Sequence, residues 1–181
     1  MAGGTRRVET SRLVLRAPEP EDARAIFDVF AADAEVARFV GWPRHLSIDD
    51  TRAFLEFSDA EWSRWPAGPL LIESRADGHL IGTTGLSFET PYRAATGYVL
   101  AQKYWRHGFA SEALATIVAL AEQLSVRRLY ALCHVDHAAS ARVLERGGFE
   151  LEGILRKHLV FPNLDDTEPQ DVRCYARIWK G

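Results

Sequence analysis

The stretch that decides the fold is TGYVLAQKYWRHGFAS, Thr96–Ser111. An apolar run, Thr96–Ala101, leads into a turn that carries Gly108, and from Gly108 the hydrophobic period changes. Ala110, Leu114, Ile117, Val118, Ala121 and Leu124 fall on one helical face. A second strand-like run, Leu129–Val135, follows. Strand, helix and strand in this order predict a crossover. The junction also suits an anion. A helix start offers unpaired backbone N–H groups at the positive end of its dipole, and Gly108 lets a phosphate approach closely. Small Ala110 allows packing against a ligand, and Arg106 and His107 add donors. The window is neither GxGxxG nor a P-loop. A glycine-bearing helix cap without a ligand is the plain alternative, and the loop alone leaves both readings open.

Upstream, Arg12–Arg16 reads as a short strand, closed by Pro18 and Pro20. Ala23, Ile26, Phe27 and Phe30 then recur at helical spacing behind Glu19, Glu21 and Asp22, with further helical turns expected towards Val40. Ser47 and Asp50 form a capping-box pattern ahead of a helix whose face is Ile48, Thr51, Phe54, Leu55, Ser58 and Trp62. Leu70–Glu73 and Leu80–Phe88 read as strands joined by a turn at Asp77-Gly78. Downstream, Ala138–Arg146 is a short helix stopped by Gly147-Gly148. Phe149–Phe161 and Val172–Trp179 close the chain as strands around an acidic loop at 162–170. Residues 1–10 read as a flexible tail, and 11–181 as one domain. The fold class expected is α/β (α+β), with a mixed, mostly antiparallel sheet of six to seven strands flanked by helices.

The bulk properties narrow the function. The chain has 181 residues, a net charge of −3 and a charged fraction of 26%. A general nucleic-acid binder normally carries a basic excess. No segment approaches a membrane span or a secretion signal, so the cytoplasm is the compartment expected, with no membrane partner. Cys133 and Cys174 sit in apolar runs without metal-ligand spacing and read as buried free thiols, and no metal is expected.

Further motifs then join the loop. His137-Ala138-Ala139-Ser140 opens the last helix, which ends at Gly148-Phe149. Together with Trp105-Arg106-His107-Gly108-Phe109-Ala110, this resembles the paired signatures of the GNAT superfamily of acyltransferases. The segments SRLVLRAPEPED, GHLIGTTGLSF, GYVL and DVRCYARIW extend the resemblance to the RimJ/RimL-type branch, the ribosomal-protein-alanine acetyltransferases. Trp105 stands where the family writes Gln or Arg, and His137 where it writes Asn.

The resemblance implies a single GNAT-like domain and acetyl-CoA as donor. It implies a gap beside Thr96–Ala101 that takes the pantetheine arm, with Val99 and Leu100 pairing to it through their backbone. The Leu100 amide would polarise the thioester carbonyl. The pyrophosphate would lie over the loop, so Trp105, Arg106, His107, Gly108, Phe109, Ala110 and Ser111 are cofactor-binding candidates, with His137 and Ser140 beside the pantetheine. The tyrosine acid of many members is replaced by Leu144. Ser140 is therefore either the acid or only a helix cap. The usual glutamate base falls at Ala95 and Thr96, leaving His134, His137, Asp136, Glu89 or water. A peptide α-amine, with a pKa of about 7.7–8.0 against about 10.4 for lysine, needs only a weak base. An amine acceptor of that kind, a protein or peptide N-terminus, is expected. A polyamine or aminoglycoside-type amine is the alternative, and a non-catalytic acyl-CoA sensor is a third reading. The acceptor would enter between Gly41–Ser47 and the last hairpin, past Trp42 and His45, with Asp165, Asp166 and Glu168 either attracting a cation or merely solvated. A homodimer is compatible with the family.

Overall fold

The computed structural model describes residues 6–179. Eight strands form one sheet in the order β1-β2-β3-β4-β5-β6-β8-β7. They are β1 (Arg7–Glu9), β2 (Leu13–Arg16), β3 (Pro69–Ser74), β4 (Leu80–Thr90), β5 (Arg93–Leu100), β6 (Arg128–His134), β7 (Glu150–Phe161) and β8 (Asp165–Ile178). Every neighbouring pair is antiparallel except β5 and β6. The α-helices are α1 (Ala23–Ile26, running into a π-helical turn at Phe27–Ala31), α2 (Ile48–Arg64), α3 (Phe109–Gln123) and α4 (Ala138–Arg146).

The sheet exceeds the expected six to seven strands because of β1. Arg7–Glu9 lies in the stretch read as a tail, yet Arg7, Val8 and Glu9 pair with Arg16, Leu15 and Val14. Three residues with one apolar side chain carry too little pattern to announce a strand. The first five residues of that stretch, and the last two of the chain, lie outside the described residues. The hairpin is also tighter than expected. The loop expected at 162–170 shrinks to a turn that lets Phe161 face Asp165 across the ladder. Pro169 is tolerated because β8 meets β6 only from Val172 onward. Beyond α1, helical turns do not propagate to Val40; the chain there makes short turns.

Local chemistry explains the rest. Ser47 Oγ accepts the Asp50 N–H and Asp50 accepts the Ser47 N–H, so the capping box forms as read. Leu70, Leu71 and Ile72 of β3 are all fully buried, because helices cover both sheet faces. Leu70 and Ile72 meet the α3 side; Leu71 meets Ile26 and Phe30 on the α1 side. Leu114 and Ile117 of α3 are fully buried, and each such side chain contributes about 1.5–3 kcal/mol. No helix among the described residues is long and apolar enough to cross a membrane. Cys133 and Cys174 are free and buried.

Candidate active site

β5 and β6 part company, and that divergence makes the site. Their parallel ladder covers only Arg93–Ala95 against Arg128–Tyr130, while β4 stays paired to β5 as far as Leu100 and β8 stays paired to β6 as far as His134. From Thr96 onward a wedge opens between them. It widens into a groove of about 1300 Å³ that runs from the α3 loop to the loop before α2. That volume exceeds the roughly 300–1,000 Å³ of a single small-molecule pocket, and so suits two ligands meeting end to end.

The polar backbone facing the wedge follows from alternation. Ala101 N–H donates to Ile81 O at 2.9 Å, and Gly97 O accepts from the Thr84 hydroxyl at 2.8 Å. The N–H and C=O of Gly97, Val99 and Ala101 therefore point to β4, and those of Tyr98 and Leu100 point into the wedge. Val99, expected to pair with the pantetheine arm, has its backbone turned to β4, while Tyr98 and Leu100 turn theirs to the wedge. The Leu100 carbonyl already has a donor, because Trp105 Nε1–H bonds to it at 2.6 Å. The Leu100 N–H remains turned to the wedge. Trp105 thus acts through its indole on the strand and lines the groove as well.

Two left-handed residues shape the loop into α3. Arg106 has φ 66° and Gly108 φ 80°, both left-handed. The first helical bond runs from Glu112 N–H to Gly108 O, so the N–H groups from Phe109 to Ser111 precede it. No side chain caps this end. Arg106, Gly108, Phe109, Ala110 and Ser111 line the groove; His107 does not. What holds the loop is a residue pair absent from the sequence reading. Arg12 donates to Glu112 at 2.6 Å and to His107 O at 3.0 Å. Partial burial opposes ionisation of Glu112, but bonds from Thr10 and Arg12 hold its pKa below the ordinary value.

At the inner end, α4 starts against the wedge. Its first helical bond is Ala141 N–H to His137 O, and Ala138 N–H turns back to Asp136 O at 3.0 Å, so the Ala139 and Ser140 amides precede the helical ladder. Ser140 lines the groove, and its hydroxyl lies 3.0 Å from the Tyr98 hydroxyl, which also donates to Ser140 O at 3.2 Å. Burial pushes the Tyr98 pKa well above its usual value, so this hydroxyl keeps its proton. Cys133 sits alongside, its thiol pKa raised by burial. Tyr98 was not among the sequence candidates. Its position two residues before Leu100 was the available signal, and Leu144, buried in the core, is indeed no acid.

The candidate bases separate cleanly. His134 accepts the Asp136 N–H on Nδ1 at 3.1 Å and meets Gln170 Oε1 from Nε2 at 2.6 Å. Both nitrogens are hydrogen-bonded, and His134 does not line the groove. Asp136 is 82% exposed at its side chain and off the groove. Glu89 sits at the far end of β4, bonded to the Tyr130 hydroxyl and paired with Arg93 at 2.5 Å. His137 lines the groove one turn before Ser140 and stacks on Phe39 at 4.6 Å between ring centroids. Burial first, and His134 second, lower its pKa, so its imidazole is neutral near pH 7.

At the outer end, Trp42 and His45 line the groove with rings 5.2 Å apart, and His45 Nδ1 bonds to Thr51. Asn163 fastens this wall to the hairpin: its Nδ2 donates to Ala37 O and Trp42 O, and its Oδ1 accepts the Arg44 N–H. Asp165, Asp166 and Glu168 do not line the groove. Asp165 holds Thr167 in its own turn, and Glu168 pairs with Lys157.

A wedge between parallel strands, amides left free at α3 and a backbone N–H facing inward suit acetyl-CoA, and comparison with known proteins agrees. A family model for the acetyltransferase (GNAT) domain matches residues 12–150. The chain belongs to the GNAT family and is an N-acetyltransferase that uses acetyl-CoA as its donor. It is 33% identical to an uncharacterized N-acetyltransferase, YoaA, of Bacillus subtilis, over 94% of this chain and 96% of that protein. Among solved structures it is similar to RimL, the ribosomal L7/L12 alpha-N-protein acetyltransferase, in complex with coenzyme A disulfide-linked to a cysteine. The TM-score is 0.83 and the identity 25%, covering 95% of this chain and 97% of RimL. The microcin C7 self-immunity acetyltransferase MccE, in complex with acetyl-CoA and AMP, shares the fold at TM-score 0.83 and 20% identity, covering 99% and 98% of the two chains.

Proposed function

We infer that this chain acetylates the α-amine of a peptide or protein N-terminus. The observation that carries the reading is His137. It is neutral, one helical turn from Ser140, and its pKa is lowered by burial. A weak base is enough for an α-amine of about 7.7–8.0, which is already partly neutral, and lysine, at about 10.4, demands more of it. The likeness to RimL, named for an α-N-protein activity, supports the same acceptor class.

The roles follow from the wedge. The N–H groups from Arg106 to Ser111 hold the pyrophosphate, helped by the α3 dipole. Leu100 N–H faces the thioester carbonyl and stabilises the oxyanion as the amine attacks; such a donor contributes about 3–4 kcal/mol to lowering the barrier. His137 takes the amine proton. Ser140, its hydroxyl oriented by Tyr98, protonates the departing thiolate at the positive end of α4. Two unbridged thiols fit a reducing compartment, the cytoplasm.

The test is a panel of acceptors with acetyl-CoA, reading thiol release. Peptides with free N-termini should turn over, and N-terminally blocked peptides carrying lysine should not. Turnover of polyamines or aminoglycosides alone overturns the peptide reading, and silence with every amine leaves an acyl-CoA sensor.

A further inference from the structure

The outer end of the groove is apolar where a polyamine site would be acidic. Resting on the N-terminal acceptor reading, we propose that the acceptor's first one or two side chains are large and apolar. Their seat is built by Phe39, Trp42, Leu46, Phe54, Phe57 and Leu159, all of which line the groove.

The first argument is the fate of the carboxylates. The hairpin acids lie off the groove. Of the two acids that line it at this end, Glu35 is paired with Arg38 at 3.6 Å, and Asp50 accepts the N–H groups of Leu46 and Ser47 at 2.8 and 2.9 Å. Arg44 adds a positive charge to the same lip. A polycation would meet Arg44 here and find each carboxylate already engaged.

The second argument is exposure. Leu46 is 75% and Phe57 53% exposed, and both line the groove. They flank the helix start and the outer face of α2, on the rim of the groove whose floor holds Trp42 and Phe54. Bare apolar side chains around a concave apolar floor mark a ligand seat. The wall is held rigid by Asn163, so the seat is preformed.

The experiment compares acceptors of one length and body that differ only at the first two residues, alongside phenethylamine and spermidine. Peptides beginning with Phe, Leu or Met should exceed those beginning with Gly, Asp or Lys in kcat/KM by about tenfold or more, as apolar pockets commonly discriminate. Leu46→Ser and Phe57→Ser, both at exposed positions, should cut that ratio several-fold while calorimetric affinity for acetyl-CoA stays unchanged. Equal turnover across the peptide series, or a preference for acidic or basic starts, overturns the proposal. If all peptides are inert but phenethylamine outpaces spermidine, the N-terminal reading fails and the apolar seat stands. If spermidine outpaces phenethylamine, both fail.

Discussion

Ser140 and Tyr98 share one hydrogen bond at 3.0 Å, and the chemistry assigned to them separates on mutation. Ser140→Ala removes the proposed proton donor, and kcat should fall about 10²-fold, the lower range for general acid catalysis. Tyr98→Phe only frees the serine rotor and should cost roughly tenfold or less on the same scale. In both, acetyl-CoA affinity by calorimetry should hold; a kcat unchanged in Ser140→Ala makes that residue a cap. His137 predicts a pH effect with a definite sign. Its pKa lies below the ordinary imidazole value, because burial disfavours the cation. The neutral, active form therefore persists through pH 7 and is lost as pH falls through that lowered value. His137→Gln should remove the acid limb that His137 contributes to the kcat/KM profile. Sequence reading held His134 and His137 as equals. They differ because Gln170, 36 residues away, and the Asp136 N–H engage both nitrogens of His134, which does not line the groove.

At the scale of elements, the phosphate role proposed for the α3 loop rests on its backbone. Gly108 lies at φ 80°, a region that favours glycine, and a Cβ there would meet only Arg12 Nη2, at 3.5 Å. The space above it is open for an anion. Gly108→Trp should fill that space and weaken acetyl-CoA binding at least about tenfold, the loss expected when backbone donors are blocked. Calorimetry measures the loss, and circular dichroism checks that α3 persists. Unchanged affinity would remove the phosphate from this loop. The loop, α3 and the capping box of α2 were legible in sequence, since each is written within a few consecutive residues. The strand β1 was not, since its three residues gain order only by pairing with β2.

At the scale of the molecule, Arg16 ties the first turn to the sheet. It bonds to Asp22 at 2.7 Å and to Glu73 at 2.8 Å, all three side chains mostly buried. Burial pushes the Asp22 carboxyl up, but the bonds from Arg16 and the Glu19 N–H outweigh it and leave the pKa lowered. Arg16→Met strands two carboxylates together and should cost about 2–4 kcal/mol by urea unfolding. A depressed carboxyl adds stability above its unfolded value, about 3.9, and that stability is lost as pH falls through the folded value. The variant should lose this contribution and so depend less steeply on acid pH. An equal slope in both proteins would show that Asp22 draws nothing from Arg16.

The sequence by itself determined the crossover and the loop, and through its resemblance to the GNAT superfamily it pointed to the donor. Hydrophobic period and helix-start chemistry are local, and a phosphate needs backbone amides that any short run with a glycine can present. Only the tertiary structure decided which side chains line the outer end of the groove. The Tyr98–Ser140 contact spans 42 residues, and Asn163 reaches 126 back to Ala37. The hairpin acids, prominent in the sequence, turn off the groove because β7 and β8 pair nearly to their tips. Which side chains share a cavity depends on the splay of two strands and the register of a third, and no run of neighbouring residues encodes that.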